Sequence, residues 1–394
     1  MWDLAVVGAG PAGAAAALSA LRTRPGARVL LLDRSDFPRD KSCGDGIAPH
    51  ALDELARLGA TDVLADRVPV HRLRLQAPDG TVVTARMKRP DHVVPRTLFD
   101  DRLVRAAVRH GAVLERHTVR CVDVHPDHVV LDREIAARVV VGADGANGVV
   151  RRRLGLGRQP AAATAVAVRG YAAAPPGEPE QVILLSPHDW PSYAWSFPAG
   201  DGTANVGFGL LLPALRAKEG GGRRALHDGL EELLPGLQAQ RLVSHHLPMS
   251  TVRPVPAVGR VLLAGDALSL VNPLTGEGIF YALLSGRLAG AAACGADPAG
   301  VYAGALRREL GRHLRHTSAL AWLTTRRGVV DAAIAAAGRS DAAFDALVEL
   351  GLGRGLVQAP LAGGLVAELG RRRGRGLIRN AARPRAARPP SRPA

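Results

Sequence analysis

The sequence predicts an α/β protein: a Rossmann-like unit, an antiparallel β-sheet, and a helical C-terminal region. Three observations carry that expectation. At Leu4–Leu21, LAVVGAGPAGAAAALSAL runs an apolar strand through a glycine-rich turn into an alanine-rich helix. Between about 71 and 211, short segments alternate apolar and polar residues between turn signals, the period of half-buried strands. Beyond 300, Ala, Leu, Gly and Arg recur at helical spacing.

The first unit is the most specific. Gly8, Gly10 and Gly13 form GxGxxG with a strand before and a helix after. Gly8 allows the tight turn, Gly10 lets a pyrophosphate approach the backbone, and Gly13 lets helix and strand pack closely. The helix N-terminus, including Ala12, offers free N–H groups and partial positive charge to phosphates. ARVLLLDR (Ala27–Arg34) reads as a second buried strand. It ends in Asp33, 20 residues beyond Gly13, where a carboxylate can take the adenosine ribose hydroxyls, with Arg34 beside it. This predicts a dinucleotide site and leaves NAD or FAD open.

HRLRLQAPDGTVVTARM (His71–Met87) reads as a hairpin around Asp79-Gly80. AVAVRGYAA (165–173), EQVILLS (180–186), SYAWSFP (192–198) and ANVGFG (204–209) continue as strands. Together they predict an antiparallel sheet with one face toward a ligand. Aromatic residues are only 4% of the chain, so Tyr193, Trp195 and Phe197 at alternate positions are expected to line a cavity. Taken singly, each is equally an ordinary core aromatic.

Two later segments choose the cofactor. RVVVGADGANGVVRRRLG (138–155) is a strand, then Asp144-Gly145, then a basic helical start. VGRVLLAGDALSLVNPLTGEGIFYALLSGRLAG (258–290) is a strand, then Gly265-Asp266, a loop, and a helix starting near Gly276. An NAD dehydrogenase has no evident use for either. FAD does: Asp266 can meet the ribityl and pyrophosphate region, and loop 272–278 can aim N–H groups at the flavin edge where negative charge grows on reduction. Asp144 is equally a helix N-cap, and Glu277 equally a residue that favours a helix start.

The expected layout is therefore discontinuous. Residues 1–67, 96–157 and 253–300 build the cofactor domain, and 68–95 with 158–252 the sheet domain. Residues 301–370 form helices, and 371–394 a disordered basic tail. GLGRG (351–355) lacks a preceding strand and is not read as a second nucleotide site. Formal net charge is +15, which favours anionic partners. The arginine-rich tail could dock on an anionic bilayer; nucleic acid is excluded because none of its binding modules is present. Three widely separated cysteines (Cys43, Cys121, Cys294) give no disulfide framework or metal-ligand spacing, which suits the cytoplasm. No metal site is expected. The opening strand leaves no room for a signal peptide, and no apolar run reaches a membrane span of about 18 residues.

GxGxxG, ADG and AGDA…NPLTGEGI, in that order, resemble the p-hydroxybenzoate hydroxylase-like superfamily with its glutathione-reductase-type FAD fold. KSCGDGI (41–47), SYAWSFP with ANVGFG, NPLTGEGI and VVPRTLFDDRLVRAAVRHGA (93–112) are most similar to the geranylgeranyl reductase family. The resemblance covers roughly residues 1–300. It implies that Gly8, Gly10, Gly13 and Asp33 hold the ADP half of FAD, and that Arg96 lies by its phosphate or flavin side. It also implies Asp144-Gly145 and Gly265-Asp266 on the cofactor, and Pro273, Gly276, Glu277, Gly278 and Ile279 around the flavin. Arg96 could otherwise be a surface arginine opening a helix.

The implied chemistry is saturation of isolated C=C bonds in a prenyl chain on a lipid, diphosphate or quinone. Hydride comes from reduced flavin and a proton from a site acid. NADPH or a ferredoxin-type protein would be the transient donor, since no second GxGxxG occurs in proper context. Cys43, with Gly44 in the loop toward the flavin, is the candidate acid: burial keeps a thiol protonated. Tyr193 is the reserve. The family pattern has a further glycine where this chain has Asp45. Asp45 is either a second proton source or a solvent-facing turn residue. The competing reading is a flavin monooxygenase of a hydrophobic, polycyclic metabolite. A flavin halogenase ranks lower, because no lysine suits hypohalous acid capture, and a noncatalytic redox carrier needs no elaborate substrate sheet.

Overall fold

The computed structural model describes residues 1–218 and 222–381. The chain opens with β1 (Trp2–Val7), α1 (Pro11–Thr23) and β2 (Val29–Asp33), and β2 lies parallel to β1 with Leu4 opposite Val29. Gly8 turns the chain at φ 99°, a conformation open to glycine. A Cβ on Gly13 would stand 1.8 Å from the Gly8 carbonyl oxygen, so helix and strand approach only because that position is glycine. Pro11 sits in the first turn of α1, where its missing N–H costs nothing.

After the loop 34–45 come β3 (Gly46–Ile47), α2 (Pro49–Leu58), β4 (Pro69–Gln76) and β5 (Val82–Val93). The hairpin β4–β5 turns at Gly80, φ 84°. Then follow α3 (Arg96–Arg109), β6 (Val113–Arg116), β7 (Val122–Val124), β8 (Val129–Leu131), β9 (Ile135–Gly142) and α4 (Val149–Arg153). The second sheet resumes with β10 (Thr164–Ala173), β11 (Glu180–Leu185), β12 (Ser192–Pro198) and β13 (Thr203–Leu211). Helices α5 (Leu212–Arg216) and α6 (Gly222–Leu233) precede β14 (Gln240–Pro248). The chain closes with β15 (Ala257–Val258), β16 (Val261–Leu263), α7 (Ile279–Ala293), α8 (Pro298–Leu323), α9 (Arg327–Ala337), α10 (Asp341–Leu352) and α11 (Ala359–Ala381).

Among the described residues the strands form two eight-stranded sheets. The first runs β15-β16-β9-β1-β2-β6, with a parallel core of β16, β9, β1, β2 and β6. The late segment completes it: β16 pairs with β9, and α7 lies on α1. That helix contact is backbone to backbone, since a Cβ on Gly286 or Gly290 would stand 2.1 or 2.0 Å from the carbonyl oxygens of Ala12 and Ala16.

The second sheet runs β14-β10-β13-β12-β11-β4-β5-β3. Its pairings are antiparallel except β4 with β11, which is parallel. The chain leaves this sheet after β5 and re-enters at β10, so no tight turn dictates the direction at that junction. Along one face, Tyr193 pairs with Leu185 and Gly209, and Trp195 with Ile183 and Gly207. Helices α9 and α10 cover the far end of this sheet through Leu73, Leu75, Met87, Val330, Ile334 and Phe344. Residues 371–381, expected to begin a disordered tail, continue α11; five of these eleven residues are Arg, a good helix former. The rest of that tail, 382–394, lies outside the described residues.

Candidate active site

The turn before α1 sets a helix N-terminus beside two arginines. Gly10 caps α1 without any side-chain cap bond, leaving the first N–H groups open. Where a Gly10 Cβ would stand, the nearest atoms are Arg39 Nη2 at 3.5 Å and Arg96 Nη2 at 3.9 Å. Arg96 is not a surface arginine: it is 3% exposed and grips Asp100 through two bonds of 2.6 and 2.7 Å. Arg39 donates to the same carboxylate at 3.0 Å. Burial opposes charge on Arg96, but Asp100 outweighs it and raises the guanidinium further. Asp33 is buried and clamps the turn, accepting from Ala9 N at 2.9 Å and Ser35 N at 3.0 Å. Arg34 is exposed.

The two later motifs converge on this turn. Gly265, at φ 60°, would bring a Cβ to 3.1 Å from Ala12 Cβ. Asp266 accepts from Lys41 Nζ at 3.1 Å; burial opposes its charge, yet Lys41 holds the carboxyl below its ordinary range. His245 beside them is pushed down to about 4 by burial and by Lys41. Asp144 accepts from Val150 N at 2.9 Å as a cap for α4, while its Oδ1 is buried without a partner. Gly145 turns there at φ 81°.

Helix α7 starts at Ile279, three residues later than the expected Gly276. Gly276 holds φ 75°, and Glu277 Oε1 accepts from Phe280 N at 2.7 Å, capping the first turn. Burial pushes Glu277 up to about 7. Loop 272–278, containing Pro273, is fastened from behind: Asn272 Nδ2 donates to the carbonyls of Leu350 and Gly351 at 3.1 and 3.2 Å, and Thr275 Oγ1 donates to Gly351 at 2.7 Å. The GLGRG stretch thus braces this loop. A Cβ on Gly278 would lie 3.8 Å from Asp266 Oδ1, so loop and GD turn are neighbours.

The cysteine loop faces the aromatic row of β12. A Cβ on Gly44 would stand 3.4 Å from the Phe197 ring and 3.5 Å from Trp195 Nε1. Ring centroids are 6.0 Å apart for Tyr193–Trp195 and 6.4 Å for Trp195–Phe197. Trp195 lies flat across Gly207, where a Cβ would be 2.2 Å from its ring, and donates to Asn205 Oδ1 at 2.9 Å. Asn205 Nδ2 in turn donates to Cys43 O at 2.9 Å and Asp45 Oδ2 at 2.8 Å. Burial pushes the Cys43 thiol up, against the pull of Arg96. Tyr193 is not a free donor: its hydroxyl is committed to Thr275 O, and burial raises its pKa.

Asp45 is not a solvent-facing turn residue. It has no exposed surface, holds φ 61°, and accepts from Tyr171 as well as Asn205. Burial pushes it up to about 6 despite those two bonds, Arg169 and Arg96. Sequence reasoning missed several partners here. Lys41 is one of only three lysines and stood inside the quoted KSCGDGI, and Asn205 inside ANVGFG. Asp100 stood inside the 93–112 motif, while Arg39 and Tyr171 carried no signal as site residues. Buried Asp91 has an unpartnered Oδ1 and a carboxyl held well above its ordinary range by burial and by Glu277; it had no signal either.

An uncapped helix N-terminus flanked by two guanidinium groups fits a pyrophosphate, and the Asp266–loop 272–278 corner fits a flavin. Residues 1–194 match the FAD binding domain family. The chain is thus an FAD-dependent oxidoreductase. It is 38% identical over 310 residues to the menaquinone reductase of Mycolicibacterium smegmatis, covering 73% of this chain and 75% of that protein. It is 32% identical to digeranylgeranylglycerophospholipid reductase 1 of Methanopyrus kandleri, covering 73% and 79%. A geranylgeranyl bacteriochlorophyll reductase-like protein from Thermoplasma acidophilum shares the fold with a TM-score of 0.77 at 19% identity, over 94% of this chain and 98% of that one. The chain belongs to the geranylgeranyl reductase family of FAD-dependent oxidoreductases.

Proposed function

We propose that this protein saturates isolated C=C bonds in the prenyl chain of a quinone or lipid. One observation carries the reading: a half-buried cysteine loop lies against a row of three aromatic residues, beside the corner that fits a flavin. A polyisoprenoid offers no carbonyl to polarise, so its site needs an apolar lane and one well-placed acid. Tyr193, Trp195 and Phe197 supply the start of that lane, and Leu185 and Ile183 continue it on the same sheet face.

Gly8, Gly10, Ala12, Gly13, Asp33, Arg39 and Arg96 would hold the ADP half of FAD. Asp144, Gly145, Lys41, Gly265 and Asp266 would hold its middle, and Pro273, Gly276, Glu277, Gly278 and Ile279 would border the flavin. Bound and reduced, FAD supplies the electron pair and one hydrogen for the alkene. The other hydrogen is assigned to the Cys43 thiol, which desolvation keeps neutral. The Arg96 charge, which pulls the thiol down against burial, would stabilise the thiolate left behind. The Asp45 carboxyl, held by Tyr171 and Asn205, is the nearby acid that returns the proton. Tyr193 positions loop 272–278 through Thr275 rather than donating a proton.

NADPH or a ferredoxin-type protein would reduce the flavin, and three free thiols fit a cytoplasmic setting. The reading is tested by anaerobic incubation of the reduced holoenzyme with menaquinone and with a geranylgeranyl lipid. Gain of two hydrogens per bond in either product supports it.

A further inference from the structure

Helix α8 has an outer face that neither the core nor the site uses. Arg308, Arg312, Arg315, Ala319 and Trp322 are all exposed on it, and the row continues to Arg326. From Arg308 to Trp322 the steps of four, three, four and three keep one line along the helix, and Arg326 follows in the turn beyond it. At 1.5 Å per residue the helical line runs about 21 Å. Trp322 is 64% exposed, and Arg326 stacks on its ring with Cζ 4.6 Å from the centroid. The one acid within α8, Glu309, is taken up by Arg354. Among the described residues, no carboxylate lies within ion-pair distance of Arg308, Arg312, Arg315 or Arg326. Such a row of one sign, closed by an exposed tryptophan, lacks the compensating acids of an ordinary solvated helix face.

We propose that this face of α8 docks the protein on an anionic lipid bilayer. The arginines meet lipid phosphates, and Trp322 sits at headgroup level, where its ring has both apolar and polar neighbours. Among the described residues no helix is long and apolar enough to cross a membrane, so the contact is with the surface. An acidic protein would satisfy the arginines but gives no reason for the bare indole; the bilayer satisfies both.

The position of the face joins it to the site. Just beyond Trp322, the Thr324 carbonyl accepts from Trp190 Nε1 at 2.5 Å, and Arg327 donates to His188 O at 2.6 Å. Trp190 packs in the apolar cluster of Leu75, Ile183, Leu185 and Val330. Leu185 is the β-partner of Tyr193. The tryptophan end of α8 therefore abuts the apolar sheet face that the proposed function assigns to the prenyl chain, so a lipid substrate leaving the bilayer there meets apolar surface. The docking face itself does not depend on that reading.

The test uses the full-length holoprotein with vesicles of phosphatidylcholine, with and without phosphatidylglycerol. Sedimentation with the anionic vesicles only, reversed by high salt, is expected. The triple variant Arg308→Gln, Arg312→Gln, Arg315→Gln should weaken partitioning by about fivefold per arginine, or about a hundredfold in all. Trp322 fluorescence should shift blue and be quenched by brominated lipid, and the quenched signal should vanish in Trp322→Phe. Wild-type partitioning by the triple variant, unquenched Trp322, or binding to an acidic protein but not to anionic vesicles would each overturn the proposal. Turnover of detergent-dispersed substrate should stay at the wild-type level in the triple variant. Because docking is read without turnover, its failure is distinct from failure of the reductase reading.

Discussion

The Tyr171 hydroxyl donates to Asp45 Oδ2 at 2.5 Å, and Asp45 holds φ 61° with no exposed surface. A non-glycine residue in that region costs on the order of 1 kcal/mol. A buried carboxyl with an unpartnered Oδ1 adds to that cost. The chain keeps an expensive residue beside its site thiol, which points to use rather than packing.

Asp45 should make the fold less stable as pH rises. Burial raises Asp45 to about 6, above an unfolded value of about 3.9. Between those values the unfolded chain binds fewer protons than the folded one, so stability falls as pH rises and the loss is complete above about 6. The upper bound is about 3 kcal/mol. Asp45→Asn keeps the shape and tolerates positive φ. It should be more stable than the parent at about pH 8 by about 2 kcal/mol and equal to it below about pH 4. Denaturant unfolding at several pH values checks this; a gain independent of pH would contradict it.

Cys43→Ala and Cys43→Ser should bind FAD with an unchanged flavin spectrum and lose turnover by about a hundredfold or more, the usual range for a positioned acid. In the parent, the half-buried thiol, its pKa raised by desolvation, should alkylate slowly at neutral pH and speed up only above the ordinary thiol range. Full turnover by Cys43→Ala would return the residue to plain packing.

Which parts were legible follows from how local each signal is. Gly8, Gly10, Gly13 and the strand ending at Asp33 announce themselves because turn chemistry and apolar runs act over a few residues. The strands at 164–211 were legible for the same reason. The parallel β4–β11 junction was not, since it depends on how two distant segments dock. β14 was hidden: its residues are mostly exposed and do not alternate cleanly. In the proposed site, the motif marked Cys43 and the β12 aromatic residues as candidates, and the fold brings them together. The burial of Asp45 could not be read, because its partners Tyr171 and Asn205 are more than 120 residues away, and the Arg96–Asp100 pair stood inside its motif without any sign of its burial.

Lys41→Met should weaken FAD binding. Lys41 keeps Asp266 charged in spite of its burial, so without it the Asp266 carboxyl rises toward the protonated form. FAD affinity should then fall as pH falls from about 8 to about 5, where the parent stays flat. Fluorimetric FAD titration at the two ends measures it; identical profiles would remove Lys41 from the cofactor site.

Gly286→Ala tests the helix contact that closes the cofactor domain. Its Cβ would stand 2.1 Å from Ala12 O, and backbone cannot give way cheaply. A loss of about 3 kcal/mol, with weakened FAD retention, is expected. The neutral outcome would mean that α1 and α7 can separate without cost.

The central claim is settled most directly by isotope-resolved mass spectrometry of the product formed from menaquinone and reduced holoenzyme without oxygen. Saturation of a prenyl C=C bond is predicted, with two deuterium atoms gained per bond in D2O because reduced-flavin N5–H also exchanges with solvent, and at least about a hundredfold less product with Cys43→Ala. No saturation in the absence of oxygen, with stoichiometric oxygen uptake and an oxygenated product once air is admitted, would contradict the account.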